Sequence, residues 1–330
     1  MAVAPQLAPV EIVDLRRLRA RDLAPLLEEQ QRTWLTELFW DYRPSAAMIA
    51  KHLDARTLLG SAALVAGRVA GYCFYVVEEH KGLLGDLYVL ERYRRQRAAP
   101  APHGIATRLL EQVLDTLEQF PRLRRLEAQL IPWGTEPLAP VFLARDFRSF
   151  PRLFMYKSLR PQDSRPPPEQ PPDLALRPWD DRYFEPTADL VLAAYRDHVD
   201  SHINDQYAHR SGALRFLKNI VIFPGCGLFL PECSLVALPP GQEEPLLGVV
   251  LTSQVAPGIA HVTQVSIARE WQGRGLGRCL MDASLARLVA RRFRGVSLTV
   301  TAENVPAVRL YNRLGFHILK GFAAFARTLT

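Results

Sequence analysis

The sequence has few lysines and no long apolar run. Of its 41 basic residues only five are lysines, and the formal net charge of +7 includes no basic tract interleaved with aromatic residues. A platform for nucleic acid is therefore not expected. A modest excess of arginine suits a polyanionic ligand such as a nucleotide or coenzyme, and it suits a solvated surface equally well. No stretch of about 18 uncharged apolar residues is present, so no membrane-spanning helix is expected.

Cysteine is also scarce. The four cysteines, Cys73, Cys226, Cys233 and Cys279, form no CxxC pair, and no histidines stand at zinc-ligand spacing. We therefore expect reduced thiols, with neither a disulfide framework nor a metal site. The start of the chain has no basic segment leading into a long apolar stretch, which predicts no signal peptide and a cytoplasmic protein.

Proline is concentrated in one segment near the middle. Residues 160–173 read "RPQDSRPPPEQPPD" and include six prolines, a composition typical of a stiff linker. With 330 residues, 48% of them apolar, the chain is long enough for two domains. We predict an N-terminal domain over 1–160, a linker over 161–173 and a C-terminal domain over 174–330.

The two halves repeat the same order of elements. Strand-like "GLLGDLYVL" and helical "GIATRLLEQVLDTL" in the first half correspond to "IAHVTQVSIA" and "GLGRCLMDASLARLVARRF" in the second. A repeat of about 170 residues is too long for a solenoid and indicates two copies of one domain. Each copy reads β-α-α-β-β-β-α-β-α-β, with a hairpin turn at Gly67 in the first. This order predicts α/β domains, each with a mixed, mainly antiparallel sheet flanked by helices.

A glycine-rich turn joins a strand to a helix in the second half. The stretch "QGRGLG" (272–277) lacks the Lys-Ser/Thr of a P-loop, and a dinucleotide fingerprint would need glycine where Leu280 stands. The phosphate-binding pattern that the stretch does match is Q/R-x-x-G-x-G/A between a strand and a helix. Gln272, Gly275 and Gly277 fill its fixed positions. There, consecutive amides from Gly273 to Gly277, with Arg274 and Leu276 between the glycines, can point at a diphosphate. The sequence fits two roles for Arg274 equally well: a direct contact with the diphosphate, or a solvated position at the start of the helix.

Two stretches resemble one known family. "VTQVSIAREWQGRGLGRCLM" and "SLTVTAENVPAVRLYNRLGF" are similar to the coenzyme-binding segment and the following segment of the GNAT superfamily of acyl-CoA N-acyltransferases. The resemblance covers residues 174–330 well and 10–158 more loosely, and tandem GNAT-like domains are also the architecture of mycothiol synthase. It implies acetyl-CoA as acyl donor and no metal.

The resemblance implies roles for further residues. Tyr311 would be the general acid beside the thioester sulfur, the backbone of Val265 and Ile267 would pair with pantetheine, and Asn304 would bind the same arm or simply cap a helix. His261 stands where some members carry a glutamate base. Regular alternation would place it on one face with Val265 and Ile267. A polar residue at a strand edge is the other interpretation of His261.

The acceptor site is the least readable part of the sequence. Histidines, acidic residues and tyrosines are concentrated in residues 195–210, "YRDHVDSHINDQYAHR". In this family the segment lines the acceptor groove. The same residues are also typical of a solvated helical face. His198 and His202 have the spacing of a metal pair but lack the glutamate of HExxH.

The first half has lost most of this chemistry. Leu83 stands in place of His261, Phe142 in place of Tyr311 and Asp146 in place of Gly315, and Pro100 and Pro102 interrupt the loop after Arg94. We therefore predict a non-catalytic first domain. The second is predicted to transfer an acetyl group by direct attack to a primary amine of a small molecule or peptide. A coenzyme-binding sensor and an aminoacyl-transferring relative that uses tRNA are the alternatives.

Overall fold

The computed structural model describes residues 9–94, 104–135, 137–160, 173–223 and 226–329. The chain divides into two compact units. Unit 1 comprises residues up to Phe150 together with those from Phe322 onward, and unit 2 comprises Pro151–Gly321. Residues 161–172 of the predicted linker, and Pro100 and Pro102, lie outside the described residues.

Unit 1 contains five helices and five complete strands within the described residues. In chain order these are β1 (Val10–Asp14), α1 (Ala20–Leu38), α2 (Arg43–Asp54), β2 (Leu59–Val65), β3 (Arg68–Glu78), β4 (Lys81–Val89), α3 (Glu91–Arg94), α4 (Ile105–Glu118), β5 (Arg125–Leu130) and α5 (Ala139–Leu143). The strands β1 to β4 pair antiparallel in sequence order, and β4 pairs parallel with β5. As predicted, the hairpin between β2 and β3 turns at Gly67, where Ala66 and Gly67 both have positive φ, of 49° and 73°.

Unit 2 has the same plan. Its elements are β7 (Ala175–Pro178), α6 (Phe184–Ala194), α7 (Val199–Ile203), α8 (Arg210–Val221), β8 (Leu228–Phe229), β9 (Leu235–Leu238), β10 (Gly248–Ala256), β11 (Ile259–Ile267), α9 (Leu276–Ala290), β12 (Gly295–Thr301) and α10 (Val305–Arg313). Strands β7, β9, β10 and β11 form an antiparallel series, and β11 pairs parallel with β12. The predicted mixed, mainly antiparallel sheet flanked by helices is confirmed in both units.

Each unit takes its last strand from the other half of the sequence. The strand β6 (Arg148–Ser158) pairs antiparallel with β12 over Arg152–Ser158, within unit 2. The strand β13 (His317–Thr328) pairs antiparallel with β5 over Ala323–Thr328, within unit 1. The units therefore separate between Phe150 and Pro151 and exchange their final strands, so the boundary at the proline-rich segment does not coincide with the boundary of either unit. Sequence alone does not reveal this because a strand pattern identifies a strand and not its partner.

The apolar residues of each helix cover one face of their sheet. In unit 1, α4 buries seven residues from Ala106 to Leu117 in a core shared with β4 and β5. In unit 2, α9 and α10 pack in a core on one face of the sheet, while α6 and α8 pack in a second core. Full burial of an aliphatic side chain stabilises the fold by about 1.5–3 kcal/mol, so both faces of the unit 2 sheet are held firmly around the strands that carry the site.

Candidate active site

The strands β11 and β12 diverge in the middle of unit 2. Within the described residues, their parallel pairing runs from Ile259 with Gly295 to Val262 with Leu298 and stops there, although both strands continue. At the same point the register of β11 against β10 skips Thr263. Such a bulge leaves one residue without a cross-strand partner and bends the strand. The bend opens the sheet and exposes backbone groups of β11 between Thr263 and Ile267.

The bulge also changes which side chains share a face, and this corrects one prediction. Val262, Val265 and Ile267 all belong to the core beneath α9 and α10. His261 lies on the opposite face, because the extra residue at Thr263 shifts the alternation by one. The predicted common face of His261 with Val265 and Ile267 is therefore wrong.

His261 is buried and already has partners. Its Nδ1 is 2.8 Å from the Ser297 Oγ on β12, and its ring stacks on Phe154 at 5.8 Å. Burial lowers the pKa of His261 to about 4, and the side chain is 8% exposed. The histidine does not border the cavity described below. This environment keeps the ring neutral and out of reach of a bound amine.

The glycine turn after β11 has the geometry of an anion cradle. Gly273 and Gly275 have φ of 75° and 87°, which glycine adopts without strain, and Gly275 is the N-cap residue of α9. A Cβ built on either glycine would meet no atom within 4 Å. The Gln272 Nε2 donates to the Ile267 carbonyl at 3.1 Å and ties the turn to the end of β11. The first amides of α9 therefore face open space, with the positive end of the helix dipole behind them.

The remaining residues of the turn have separate environments. The Leu276 side chain is buried in the core at 1% exposure. Gly277 lies against Leu310 of α10, whose Cδ2 would be 3.6 Å from an added Cβ. The Arg274 guanidinium lies over the Trp271 ring at 5.6 Å, and the arginine is exposed. Leu276 and Gly277 thus anchor the start of α9 against the core, while the Arg274 side chain remains on the protein surface.

A cavity of about 870 Å³ runs along the opening between the diverging strands. One end is bordered by the glycine turn, the middle by the backbone of β11 from Val262 to Ile267, and the other end by polar residues of α6, α7 and α10. This volume lies within the roughly 300–1,000 Å³ usual for small-molecule and cofactor sites. Of the sequence-predicted residues, the structure brings Val265, Ile267, Gln272, Gly273, Gly275, Gly277, Asn304 and Tyr311 to its wall.

Tyr311 lies in the cavity wall with its ring largely buried. It is 8% exposed and makes an edge contact with Phe316 at 6.0 Å. Burial, and then the negative charge of Asp200, raise the pKa of the Tyr311 phenol. The hydroxyl is therefore protonated at neutral pH, the state that a general acid requires.

A histidine and an aspartate stand at the polar end of the cavity. The His198 Nε2 is 3.2 Å from the Asn304 Nδ2, and its Nδ1 is 3.2 Å from the Asp200 amide nitrogen and 3.8 Å from the Asp200 Oδ2. A neutral imidazole has one lone pair, so the two 3.2 Å contacts are alternatives. When Nε2 accepts from Asn304, the proton is on Nδ1, facing the Asp200 carboxylate. In that tautomer the single lone pair lies on Nε2, toward the Asn304 amide.

The other groups around Asp200 hold it in place. The Thr301 hydroxyl donates to its Oδ1, and the Arg152 Nη1 is 3.6 Å from the same oxygen. Behind them the rings of Tyr195 and Tyr207 stack at 4.2 Å, and the Gln264 Nε2 is 2.9 Å from the Tyr195 hydroxyl. The carboxylate is thus fixed at the cavity wall by Thr301 of β12 and Arg152 of β6.

The structure separates the two interpretations of the acceptor segment. Tyr195, His198, Asp200 and Tyr207 border the cavity, whereas His202 and His209 are exposed. Residues 195–210 are therefore part cavity wall and part solvated face. Within the described residues, no group of three or more His, Cys, Asp or Glu side chains is arranged to hold a metal ion.

Arg152, Gln264 and Thr301 contact residues at the polar end of the cavity and were not predicted from the sequence. Arg152 was assigned to the first domain, and only the strand exchange brings it into unit 2. Gln264 and Thr301 are ordinary strand residues, and no spacing rule marks them. Asn304 was predicted either to bind the pantetheine arm or to cap a helix; its Oδ1 accepts from the Ala307 amide at 3.3 Å, and the pantetheine contact stays a prediction.

In unit 1 part of the corresponding opening is occupied by described side chains. The pairing of β4 with β5 also stops, at Leu84 with Ala128, and the register of β4 against β3 skips Gly85. Beyond it, the Arg94 guanidinium lies 4.9 Å from the Tyr88 ring, donates to the Trp133 carbonyl and contacts Glu29 at 3.3 Å. Phe142, in place of Tyr311, stacks on Phe325 at 4.0 Å.

Family comparison agrees with this two-unit plan. The model of the acetyltransferase (GNAT) family matches residues 20–142 and 192–316.

No helix of the described chain has the length and apolar character needed to cross a membrane.

Several proteins named mycothiol acetyltransferase are similar in sequence. One from Saccharopolyspora erythraea is 29% identical over 260 residues, 76% of this chain and 79% of that protein. One from Tsukamurella paurometabola is 32% identical over 178 residues, 50% and 56% of the two chains. One from Corynebacterium aurimucosum is 40% identical over 72 residues, 22% and 24%. The similar stretches thus span from a quarter to about four fifths of these relatives.

Solved structures share the fold of the entire chain. A GCN5-related N-acetyltransferase from Sphaerobacter thermophilus has a TM-score of 0.68 at 17% identity, covering 97% of this chain and 96% of the other. A tandem GNAT protein from the clavulanic acid biosynthesis pathway has a TM-score of 0.57 at 17% identity, covering 97% and 98%. Both units are matched by the family model, and the protein therefore belongs to the GNAT family of acetyltransferases, with two GNAT domains in tandem.

Proposed function

We propose that unit 2 transfers an acetyl group from acetyl-CoA to a primary amine of a small molecule or peptide. The observation that carries the proposal is the single cavity that joins the glycine turn, the open backbone of β11 and the Tyr311 hydroxyl. An elongated donor can lie along this cavity with its diphosphate at one end and its thioester at the other. Unit 1, in which Phe142 stands in place of Tyr311, is proposed to be non-catalytic.

The donor end uses backbone groups. The amides of residues 273–277 would receive the diphosphate, since unpaired N–H groups at a helix N-terminus bind phosphate. Exposed groups of Val265 and Ile267 would pair with the pantetheine arm like an additional strand. A backbone amide of this stretch would also stabilise the oxyanion formed during attack. The Asn304 side chain is proposed to stay with α10 and to orient His198.

The acceptor end uses His198 and Asp200. An acetyl acceptor must be a free amine, yet a primary amine has a pKa near 10 and arrives protonated. We place the proton on the His198 Nε2, directly or through one water, once the acceptor replaces the Asn304 amide at that nitrogen. This role was predicted for His261, which is buried away from the cavity, and we assign no proton transfer to His261.

The chemical step then balances within one ternary complex. The amine nitrogen forms a bond to the acetyl carbon, the carbon–sulfur bond breaks, and Tyr311 gives its proton to the departing thiolate. The product is an N-acetylated amine together with free coenzyme A. The attacking nitrogen gives up its second proton to solvent as the amide forms, Tyr311 is reprotonated from solvent, and His198 releases its proton after the products leave.

An acceptor panel tests the function. The full chain is incubated with acetyl-CoA and single amines, and free coenzyme A and acetylated product are separated by chromatography and identified by mass. Cysteinyl sugars come first, because the similar proteins are named mycothiol acetyltransferases, followed by polyamines and short peptides. Mass detection is needed because a cysteinyl substrate has its own thiol.

The outcomes separate the candidate functions. Stoichiometric product and coenzyme A from any amine supports the proposal. Acetyl-CoA binding by calorimetry with no product from the panel would identify a coenzyme sensor. Salt-dependent binding of aminoacylated tRNA, with no binding of acetyl-CoA, would identify an aminoacyl transferase instead.

A further inference from the structure

Unit 1 contains a cavity of its own, at the opening that begins beyond the last paired residues of β4 and β5. Its volume is about 250 Å³, and it lies between α1, α2 and the strands β3 to β5. The walls are mainly apolar and aromatic, with Trp34, Tyr42 and Phe74 among them. A volume below the roughly 300–1,000 Å³ of ordinary ligand sites suits a molecule of a few carbon atoms.

A buried carboxylate borders this cavity. Asp86 is 8% exposed. Its Oδ2 accepts from the Gln30 Nε2 and the Tyr42 hydroxyl, both at 2.6 Å, and its Oδ1 accepts from the Leu87 amide at 2.8 Å. A carboxylate has about four lone-pair positions, so three donors leave one unused, on Oδ1. The three hydrogen bonds hold the Asp86 carboxylate in one orientation and leave its Oδ1 able to accept one more donor.

No cation balances this charge. Within the described part of the chain, no Lys, Arg or His nitrogen lies within 4.0 Å of the Asp86 carboxylate. The buried Glu127 of the same unit, by contrast, contacts both Arg125 and Lys81. An isolated buried charge is costly unless it is paired. Burial accordingly raises the pKa of Asp86, against the opposing effect of its three hydrogen-bond donors.

The aromatic walls supply a second attraction for a cation. The rings of Trp34 and Tyr42 stack at 5.0 Å with an interplanar angle of 19° and form one continuous wall. Aromatic faces attract ammonium groups, tryptophan most strongly. The Trp34 Nε1 is buried and has no hydrogen-bond acceptor among the described residues. A ligand oxygen close to the cationic group suits this donor.

We propose that this cavity binds a small organic cation, an ammonium group on a short hydroxylated carbon chain, with Asp86 as counter-ion and Trp34 and Tyr42 as walls. The site is independent of acetyl transfer, since it lies in unit 1 and uses none of the groups assigned to the reaction. It gives the non-catalytic unit a ligand of its own.

Fluorine NMR on the full chain tests the site by position. The chain has five tryptophans, so incorporation of 5-fluorotryptophan gives a small set of signals, and Trp34→Phe assigns the signal of Trp34. The probe is choline, whose quaternary nitrogen cannot accept an acetyl group in unit 2. Its neutral isostere, 3,3-dimethylbutan-1-ol, has the same shape and hydroxyl without the charge.

The expected result is a saturable shift of the Trp34 signal with choline, at an affinity at least about tenfold higher than for the neutral isostere. Signals from Trp179 and Trp271 in unit 2 should not move. Asp86→Asn should weaken choline binding at least about tenfold, while the matched Glu127→Gln, another buried carboxyl of unit 1, should leave it unchanged.

Three results would overturn the proposal. These are no saturable shift of the Trp34 signal at millimolar choline, equal affinity for the neutral isostere, and unchanged affinity in a folded Asp86→Asn chain. If Asp86→Asn fails to fold, Ser45→Phe decides, because Ser45 lines the cavity from α2 and a phenyl ring there fills it. Choline binding that survives Ser45→Phe would place the ligand elsewhere.

Discussion

The two units contain the same interruption in the same pair of strands, yet the cavities described there differ: the one in unit 2 reaches a glycine turn, and the one in unit 1 is bordered by α1 and α2. In unit 1 the register skips Gly85 and the parallel pairing stops at Leu84, and in unit 2 it skips Thr263 and stops at Val262. The bulge is therefore a property of the fold. What differs is the set of side chains beyond it.

Those side chains decide whether the opening can hold a substrate. In unit 1, Arg94, Tyr88 and Trp133 contact one another across the opening. In unit 2 the residues around the opening leave a cavity of about 870 Å³. Backbone conformation is retained where the residue type differs: Asp146 and Gly315 follow equivalent helices with φ of 59° and 85°.

The largest expected effect comes from separating the halves at the proline-rich segment. A fragment of residues 174–330 lacks Arg152–Ser158, which form seven residue pairs with β12. Without β6, β12 keeps only its short pairing with β11, and its other edge exposes backbone groups and apolar residues. We expect the fragment to show no cooperative thermal unfolding by circular dichroism, unlike the full chain. A cooperative transition would mean that unit 2 does not depend on the exchanged strand.

Tyr311→Phe makes unit 2 resemble unit 1, which has Phe142 at this position. Loss of the general acid should lower kcat about ten- to a thousandfold, within the range for acid-base catalysis, with the Kd for acetyl-CoA nearly unchanged. Steady-state kinetics and calorimetry measure the two. Tyr183→Phe, a buried tyrosine of unit 2 outside the cavity wall, is the control. An unchanged kcat would remove Tyr311 from the mechanism.

His198→Gln tests the acceptor end of the cavity, which unit 1 does not reproduce. We expect kcat/KM near pH 7 to fall about ten- to a hundredfold. The deficit should shrink toward pH 9, because more of the amine is then deprotonated without a base. His202→Gln, an exposed histidine on the same helix, should behave like the parent chain. A pH profile that keeps its shape in His198→Gln would contradict the base role.

Gly275→Ala tests whether the turn holds the coenzyme. An alanine at φ 87° is strained, and its methyl group enters the open space before α9. We expect the Kd for acetyl-CoA to rise about tenfold and stability to fall by about 1 kcal/mol. Gly67→Ala, at φ 73° and equally open in unit 1, should show a similar stability loss with no change in Kd. Equal Kd values in both variants would argue against the turn.

His261→Asn should change kcat least, by no more than about twofold, since the side chain does not reach the cavity. Its effect is on pH-dependent stability. The pKa is about 4 in the folded protein, against about 6.5 when unfolded. Between these values the unfolded state binds the extra proton, so stability is lost as pH falls from 6.5 toward 4, by up to about 3 kcal/mol.

Denaturant unfolding at pH 7 and pH 5 measures this difference. The parent chain should lose more stability between the two pH values than His261→Asn does. A large loss of kcat in the variant at pH 7 would instead restore His261 as the base.

Sequence patterns predicted the elements more reliably than their partners. The strand "IAHVTQVSIA", the helix after Gly275 and the helix that carries Tyr311 all occur close to their predicted positions. Local periodicity and turn residues encode these elements. The face of His261 was wrong because one bulge residue inverts the alternation, and no pattern in the sequence marks Thr263 as that residue. The acceptor end was only partly readable, because Arg152, Asp200 and Thr301 meet there from distant positions.

By itself, the sequence determined that this protein has two GNAT-type domains, and that the second has the glycine turn and Tyr311 while the first lacks them. These features are short-range: each depends on residue type and spacing within one or two elements. Only the tertiary structure decided that β6 and β13 are exchanged, that His198 and not His261 faces the cavity, and that Asp86 borders a second cavity. Each of these depends on strand pairing and packing between segments far apart in the chain, where a shift of one residue changes which side chains meet.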